Sequence, residues 1–275
     1  MTTAEITTQA HDSTPETTLT LSTVELDAVG PIGAIRLNRP HAHNAFTREL
    51  MLDLLAAADW FNDRPAVKVV VVSGNGPSFC SGFDLRFFSS APTVEDVREN
   101  VELGRRMAEA IAQMNATTIA AVHGHCIGGG IVLMAACDFR YASNDAAFRL
   151  PEAEIGIPLA WGGIPWLTRE IGPLLTTELV LLCESVSADA ALQMRMINGV
   201  MEKHELHAYV QGRAQKLSAL STLVLRATKK QVAAARDNLA SNGNSFCDAH
   251  VLYSALLDKE SAQSRENYLA RKGYQ

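Results

Sequence analysis

The chain has 275 residues, 47% of them hydrophobic, and a formal net charge of -6. That length and composition suit one large globular domain, or one domain with a helical appendage, and can fill a sizeable core. The acidic balance argues against a general nucleic-acid binder, and no apolar run is long enough to span a membrane. Five cysteines (Cys80, Cys126, Cys137, Cys183 and Cys247) are odd in number and lack Cys-x-x-Cys spacing. They read as reduced thiols, with neither a disulfide framework nor a zinc site. With no signal peptide opening the chain, a cytoplasmic location is expected.

Residues 1–18 are rich in Thr, nearly free of apolar side chains, and read as a disordered tail. Strands are predicted over residues 19–26 and 32–37, joined at Gly30-Pro31. Thr47 is the expected N-cap of a helix that carries Leu50, Leu54, Leu55 and Ala58 at helical spacing. A buried strand follows over 67–72, then a turn at Ser73-Gly74-Asn75-Gly76-Pro77. After the loop 78–85 come a long helix over 94–114, a strand over 118–122, a glycine-led helix over 131–137 and a strand over 139–142. Alternation of this kind implies an α/β core with parallel pairing. From Gly163 onward the pattern is helical: residues 164–171, 174–183, 187–196 with Ser187 as N-cap, and three or four helices over 205–271.

Gly128-Gly129-Gly130 lies between a strand and a helix. Glycines there let another chain or a ligand approach the backbone closely. The first N–H groups of a helix have no internal partners and sit at the positive end of its dipole, so they suit an anion or a developing oxyanion.

Ser81-Gly82-Phe83-Asp84-Leu85, then Gly128-Gly129-Gly130, then Pro151-Glu152 form a pattern that resembles the crotonase superfamily, the enoyl-CoA hydratases and isomerases. Leu37-Asn38-Arg39-Pro40, Asn44-Ala45 and Cys137-Asp138-Phe139-Arg140-Tyr141-Ala142 share in the resemblance, which spans nearly the whole chain after residue 19. It implies a crotonase-like ββα spiral core over residues 19–200. A C-terminal helical region over 201–275 would trimerise, giving a homotrimer or a dimer of trimers.

The chemistry implied by the resemblance is enolate stabilisation. A thioester oxygen gathers negative charge when its α-carbon loses a proton, and two preorganised N–H donors stabilise that charge. By motif match the donors are the backbone N–H groups of Ser81 and Gly129, and the proton carrier is Glu152. Related hydratases carry a second carboxylate in the glycine helix, where this chain has Val132. A single carboxylate suffices to move a proton between carbons, so isomerase-type transfer is the expected activity. Hydration of 2-enoyl-CoA is the alternative, by Glu152 alone or with Glu154, which shares its face if the segment is extended. An acyl-CoA binder without catalysis is the alternative of another class.

The substrate is an acyl-CoA thioester, with coenzyme A part of it and no further cofactor or metal. The resemblance places the pantetheine arm on Ser81, Gly82, Phe83, Asp84 and Leu85, with Gly128 also at the substrate. It places adenine near Arg39 and Ala45, and the phosphates near Arg86. Arg271 and Lys272 could reach a neighbouring subunit's ligand. Asp84 and Asp138 match positions that orient the backbone. His123 and His125 read as hydrogen-bonded structural groups. Trp161 and Trp166 read as core aromatics that could also line an acyl pocket. The run Arg226-Ala227-Thr228-Lys229-Lys230 is too short to imply RNA binding, and no membrane partner is expected.

Overall fold

The computed structural model describes residues 19–90, 92–240, 245 and 247–273, so the tail expected over residues 1–18 lies outside the described residues. Strands β1 (Val24–Val29) and β2 (Ile32–Leu37) form an antiparallel hairpin. In β2 burial alternates residue by residue, as a strand with one covered face requires. Strand β3 (Val69–Gly74) opens with four consecutive buried valines, the signature of a parallel strand covered on both faces. Its β-branched run pairs in parallel with β2 on one side and with β4 (Thr117–Val122) on the other.

From β4 onward the chain visits two sheets in turn. It leaves β4 for β5 (His125–Ile127), enters a helix over Gly129–Ala136, returns through β6 (Phe139–Ser143), and passes to β7 (Ala147–Arg149). Strand β6 lies parallel to β4, and β7 lies parallel to β5. Each turn therefore stacks on the previous one in register. β8 (Val186–Ser187) closes the smaller sheet, and β9 (Gly199–Met201) ends the six-stranded sheet in the order β1-β2-β3-β4-β6-β9. These strands of two or three residues, like β5 and β7, are too short to show a period, which is why sequence pattern does not reveal them.

Helices cover both faces of the larger sheet. Helix α1 (Arg48–Asn62) starts where Thr47 Oγ1 accepts from the Leu50 N–H at 3.3 Å, and it buries Leu50, Met51, Leu54, Ala58 and Phe61. Helix α2 (Arg86–Ser89) is a single turn. Helix α3 (Val94–Gln113) opens on a Thr93–Asp96 capping box and buries Val97, Val101, Gly104 and Met107. Helix α4 (Gly129–Ala136) is buried along its whole length. After α5 (Glu152–Ile155), helix α6 (Gly163–Leu182) kinks at Gly172-Pro173, at the junction between the two predicted helices. Helix α7 (Ala188–Gln193) is capped by Ser187, whose Oγ accepts from the Ala190 N–H at 3.2 Å.

Helix α8 (Leu206–Ser218) packs Leu206, Val210 and Ala214 on Val69, Val71, Ile119 and Ala121, sealing the second face of the sheet. The C-terminal helices α9 (Thr222–Asp237), α10 (Asp248–Leu257) and α11 (Lys259–Arg271) complete the fold. Helix α9 has no buried residue and leaves Leu223, Val224 and Val232 exposed.

Asn44 ties the loops at one edge together. It is fully buried with a left-handed φ of 57°, which Asn tolerates better than most side chains. Its Oδ1 accepts from the Arg39 N–H at 2.8 Å, and its Nδ2 donates to the carbonyls of Asn75, Ser78 and Phe79 at 3.0, 2.8 and 3.2 Å. Asn44→Ala strands one buried N–H and loosens three carbonyls, so it should destabilise the protein by about 2–4 kcal/mol in urea unfolding. A loss under about 0.5 kcal/mol, the range of a bland surface change, would contradict this role.

Candidate active site

The loop after β3 and the start of α4 press together where neither carries a side chain. Gly82 has φ 89°, and a Cβ on it would lie 2.9 Å from the Ile127 carbonyl oxygen. Gly128, at φ 52° and ψ -119°, caps α4, and a Cβ on it would lie 3.9 Å from the Gly82 Cα. Only glycine fits either place. Cys80 forms a parallel bridge with Cys126, which joins the loop to the smaller sheet.

This backbone path decides which N–H groups are available. The Ser81 N–H donates to the His43 carbonyl at 2.9 Å. Ser81 was the expected donor to a ligand oxygen, and that bond removes it from the role. Gly82 O accepts from the Phe46 N–H at 2.7 Å, and the Asp84 N–H donates to Phe46 O at 2.9 Å. In a parallel bridge the residue between two such contacts directs its N–H to the opposite side. That residue is Phe83, and its N–H has no acceptor among the described residues. The Gly129 N–H is the first of α4 and is also without an acceptor there. Phe83 and Gly129 line one cavity together with Glu152.

Glu152 begins α5. Its Oε2 is buried and has no hydrogen-bond partner among the described residues. Oε1 lies 2.6 Å from where a Gly128 Cβ would be, so the absent side chain at 128 makes room for the carboxylate. Burial pushes the Glu152 pKa up to about 7, opposed weakly by its own backbone N–H and by the charge of Arg149. Arg149 is itself engaged, donating to Cys183 O at 2.7 Å and to Glu154 Oε1 at 2.6 Å. Glu154 does not share the cavity. Its segment is helical rather than extended, so two residues turn the side chain by about 200°. It faces a different groove, paired with Arg149 at 2.6 Å and Arg271 at 3.6 Å.

The cavity measures about 60 Å³ and is walled by Phe83, Phe87, Phe88, Val132 and Trp161 among other apolar groups. Among the described residues Glu152 is the one ionisable side chain in its wall. Phe83 also lines a groove of about 1270 Å³ that holds Arg39, Ala45, Ser81, Asp84, Leu85 and Arg86. Most of the predicted binding residues, though not Gly82 and Gly128, are thus brought to a wide groove and the predicted proton carrier to a narrow cavity, with Phe83 lining both. Val132, on α4, leaves no second carboxylate there.

Arg39 differs from expectation in what it holds. Its guanidinium donates to Ala45 O and sits 3.8 Å from Asp84, with the side chain 11% exposed, so it pins the loop. Arg86 also closes on Asp84, and its hydrogen bond holds that carboxyl below the usual range. Asp138 accepts from Thr118 at 2.8 and 3.0 Å and pairs with Lys229 at 2.7 Å. His123 meets Gly76 O at 2.9 Å, whereas His125 lies exposed in the groove beside His43. Tyr268 and Lys272 line the groove of their own chain. Trp161 lines the cavity, but Trp166 is buried elsewhere, between the guanidinium groups of Arg169 and Arg236. Among the described residues no three His, Cys, Asp or Glu side chains converge as a metal site. Sequence pattern misses Phe87, Phe88 and Leu252 as cavity walls, since they are brought together only by tertiary packing.

Residues 28–275 match the family model described as enoyl-CoA hydratase/isomerase. The chain is 33% identical over 199 residues to a crotonyl-CoA hydratase of Syntrophomonas wolfei, covering 72% of this chain and 76% of the relative. It is 30% identical over 242 residues to the peroxisomal Delta(3,5)-Delta(2,4)-dienoyl-CoA isomerase of Arabidopsis thaliana, covering 84% and 87%. Among solved structures, an enoyl-CoA hydratase from Bacillus halodurans superposes with a TM-score of 0.83 at 25% identity, over 90% of this chain and 100% of that one.

The raised pKa of Glu152 has a signed consequence for stability. The unfolded chain ionises this group near about 4.3, so between about pH 4.3 and 7 folding increasingly opposes its ionisation. Glu152→Gln removes that opposition. Its stability relative to wild type should therefore rise with pH through this window and level off above it, in urea unfolding from pH 4 to 8. A pH-independent difference would mean that the carboxyl titrates as if exposed.

Proposed function

Because the chain belongs to the enoyl-CoA hydratase/isomerase family, we propose that it is an acyl-CoA isomerase that moves a double bond by single-carboxylate proton transfer. The observation that carries this reading is Glu152 in an apolar cavity that Val132 also lines. A 3-enoyl-CoA thioester would lay its CoA portion in the groove of Arg39, Ala45, Ser81 to Leu85 and Arg86, and its acyl chain in the cavity. The carboxylate takes a proton from C2, and the C–H pair forms the C1=C2 bond of a dienolate while the thioester C=O pair moves onto oxygen. The oxygen pair then re-forms C=O, the C1=C2 pair becomes C2=C3, and the C3=C4 pair takes the same proton at C4, giving 2-enoyl-CoA. Between the steps the thioester oxygen carries the charge, received by the Phe83 and Gly129 N–H groups at the positive end of α4. Phe83 replaces Ser81 in this reading, because the Ser81 N–H is already bonded to His43.

The pKa near 7 suits the task, because a base poised near ambient pH both accepts and returns its proton readily. No metal or further cofactor is called for, as proton and oxyanion are both served by groups of the chain. We also propose that the exposed apolar residues of α9 meet other subunits in a trimer or a dimer of trimers. Hydration is the second reading, favoured by the 33% identity to a protein named crotonyl-CoA hydratase.

Both reactions measured on one preparation distinguish the readings. Isomerisation of 3-enoyl-CoA should outpace hydration of 2-enoyl-CoA at matched chain length, and Val132→Glu should raise hydration relative to isomerisation. Faster hydration across several chain lengths would promote the second reading.

Glu152→Gln should lower isomerisation by orders of magnitude while CoA still binds. In wild type, kcat/KM should rise with pH to a plateau above about 7, because only the ionised carboxylate takes the C2 proton. A flat profile from pH 5 to 8 would remove Glu152 from the base role.

A further inference from the structure

Trp161 stands in a backbone conformation that a bulky side chain seldom adopts, with φ 61°, and yet it is 7% exposed and held on all sides. Such strain persists where the surroundings over-determine it, and it marks places with a task. The next residue is anchored, with the Gly162 N–H donating to Asp248 Oδ2 at 2.9 Å. The indole lies against α3 and α4 at two positions that have no side chain. A Cβ at Gly104 would be 2.2 Å from the ring, and one at Gly129 would be 2.3 Å from it. Its remaining edges meet Phe46 and Phe83 edge-to-face, with ring centroids 5.2 and 5.8 Å apart. The ring thus fills the space between α3 and the start of α4, directly beside the cavity that contains Glu152.

We infer that Trp161 sets the length of acyl chain this site accepts, restricting it to short-chain thioesters; the inference rests on the reading of the cavity as the acyl site. One water needs about 10–15 Å³, so a cavity of about 60 Å³ has room for only a short acyl chain. A longer chain running toward the space between α3 and α4 would have to displace the indole, which is packed against Phe46, Phe83 and the two helices. Glycine at 161 would accept the same φ without strain and would join the space bounded by Gly104, Gly129 and Phe46 to the cavity. Phenylalanine at 161 would open part of it.

The test uses wild type, Trp161→Gly and Trp161→Phe on CoA thioesters with acyl chains of about four to twelve carbons, a span set by the cavity estimate above. Turnover of 3-enoyl-CoAs and calorimetric binding of the saturated acyl-CoAs are both measured. Wild-type kcat/KM should fall about tenfold or more between six and ten carbons, as an apolar pocket at its limit rejects added methylenes. In Trp161→Gly the ratio of ten-carbon to six-carbon kcat/KM should rise about tenfold or more, with Trp161→Phe between. A wild type that handles twelve carbons as well as four overturns the inference without any variant. So does a folded Trp161→Gly with an unchanged length profile. If wild type turns over no thioester yet binds short chains in preference to long ones, the proposed reaction fails and the role of Trp161 stands.

Discussion

The close approach of two backbones, the Gly82 turn against the Ile127–Gly128 turn, is the constraint on which the rest depends. A Cβ on Gly82 would fall 2.9 Å from the Ile127 carbonyl, so contact at this spacing exists only because side chains are absent. The spiral provides the register. Strands β4 and β6 stack in one sheet and β5 and β7 in the other, with Cys80 bridged to Cys126. The two turns consequently arrive side by side at the ends of neighbouring strands. Asn44 and Arg39 then hold the outer loop in place through bonds to carbonyls and to Asp84.

A buried carboxylate is the second half of the account, and it depends on the first. Glu152 reaches its place because Gly128 offers no Cβ to meet it. Its surroundings are apolar, so its ionised form is penalised and its pKa rises to about 7. The same burial leaves Oε2 without a hydrogen-bond partner among the described residues. An unsatisfied carboxylate next to two unsatisfied N–H groups is costly to a fold, and such arrangements persist where chemistry uses them. The cation that could have relieved it, Arg149, is paired with Glu154 on the groove side.

Much of this was legible in the sequence, and the reason differs from residue to residue. The valines of β3 and the caps at Thr47 and Ser187 declare themselves locally, through burial period and side-chain chemistry. Gly128, Gly129 and Glu152 are legible through motif resemblance, which brings them together before any contact is known. The donor on the other loop was misplaced because Ser81 and Phe83 look alike in a motif, and only hydrogen bonds to His43 and Phe46 separate them. Glu154 stays open as a second acid in the sequence because the four-residue helix Glu152–Ile155 carries too little pattern to tell from a strand. Trp161 and Trp166 could not be told apart in sequence, since one meets Gly104 and Gly129 and the other two arginines only after folding.

The central claim is that the Phe83 and Gly129 N–H groups receive a thioester oxygen while Glu152 faces the acyl carbons. A crystal structure with a bound, unreactive acyl-CoA analogue tests it most directly. The account predicts the thioester oxygen about 2.7–3.1 Å from both backbone nitrogens, with the Glu152 carboxylate alongside C2 and C4. A thioester oxygen bound elsewhere, or an acyl chain lying outside the Glu152 cavity, would contradict it.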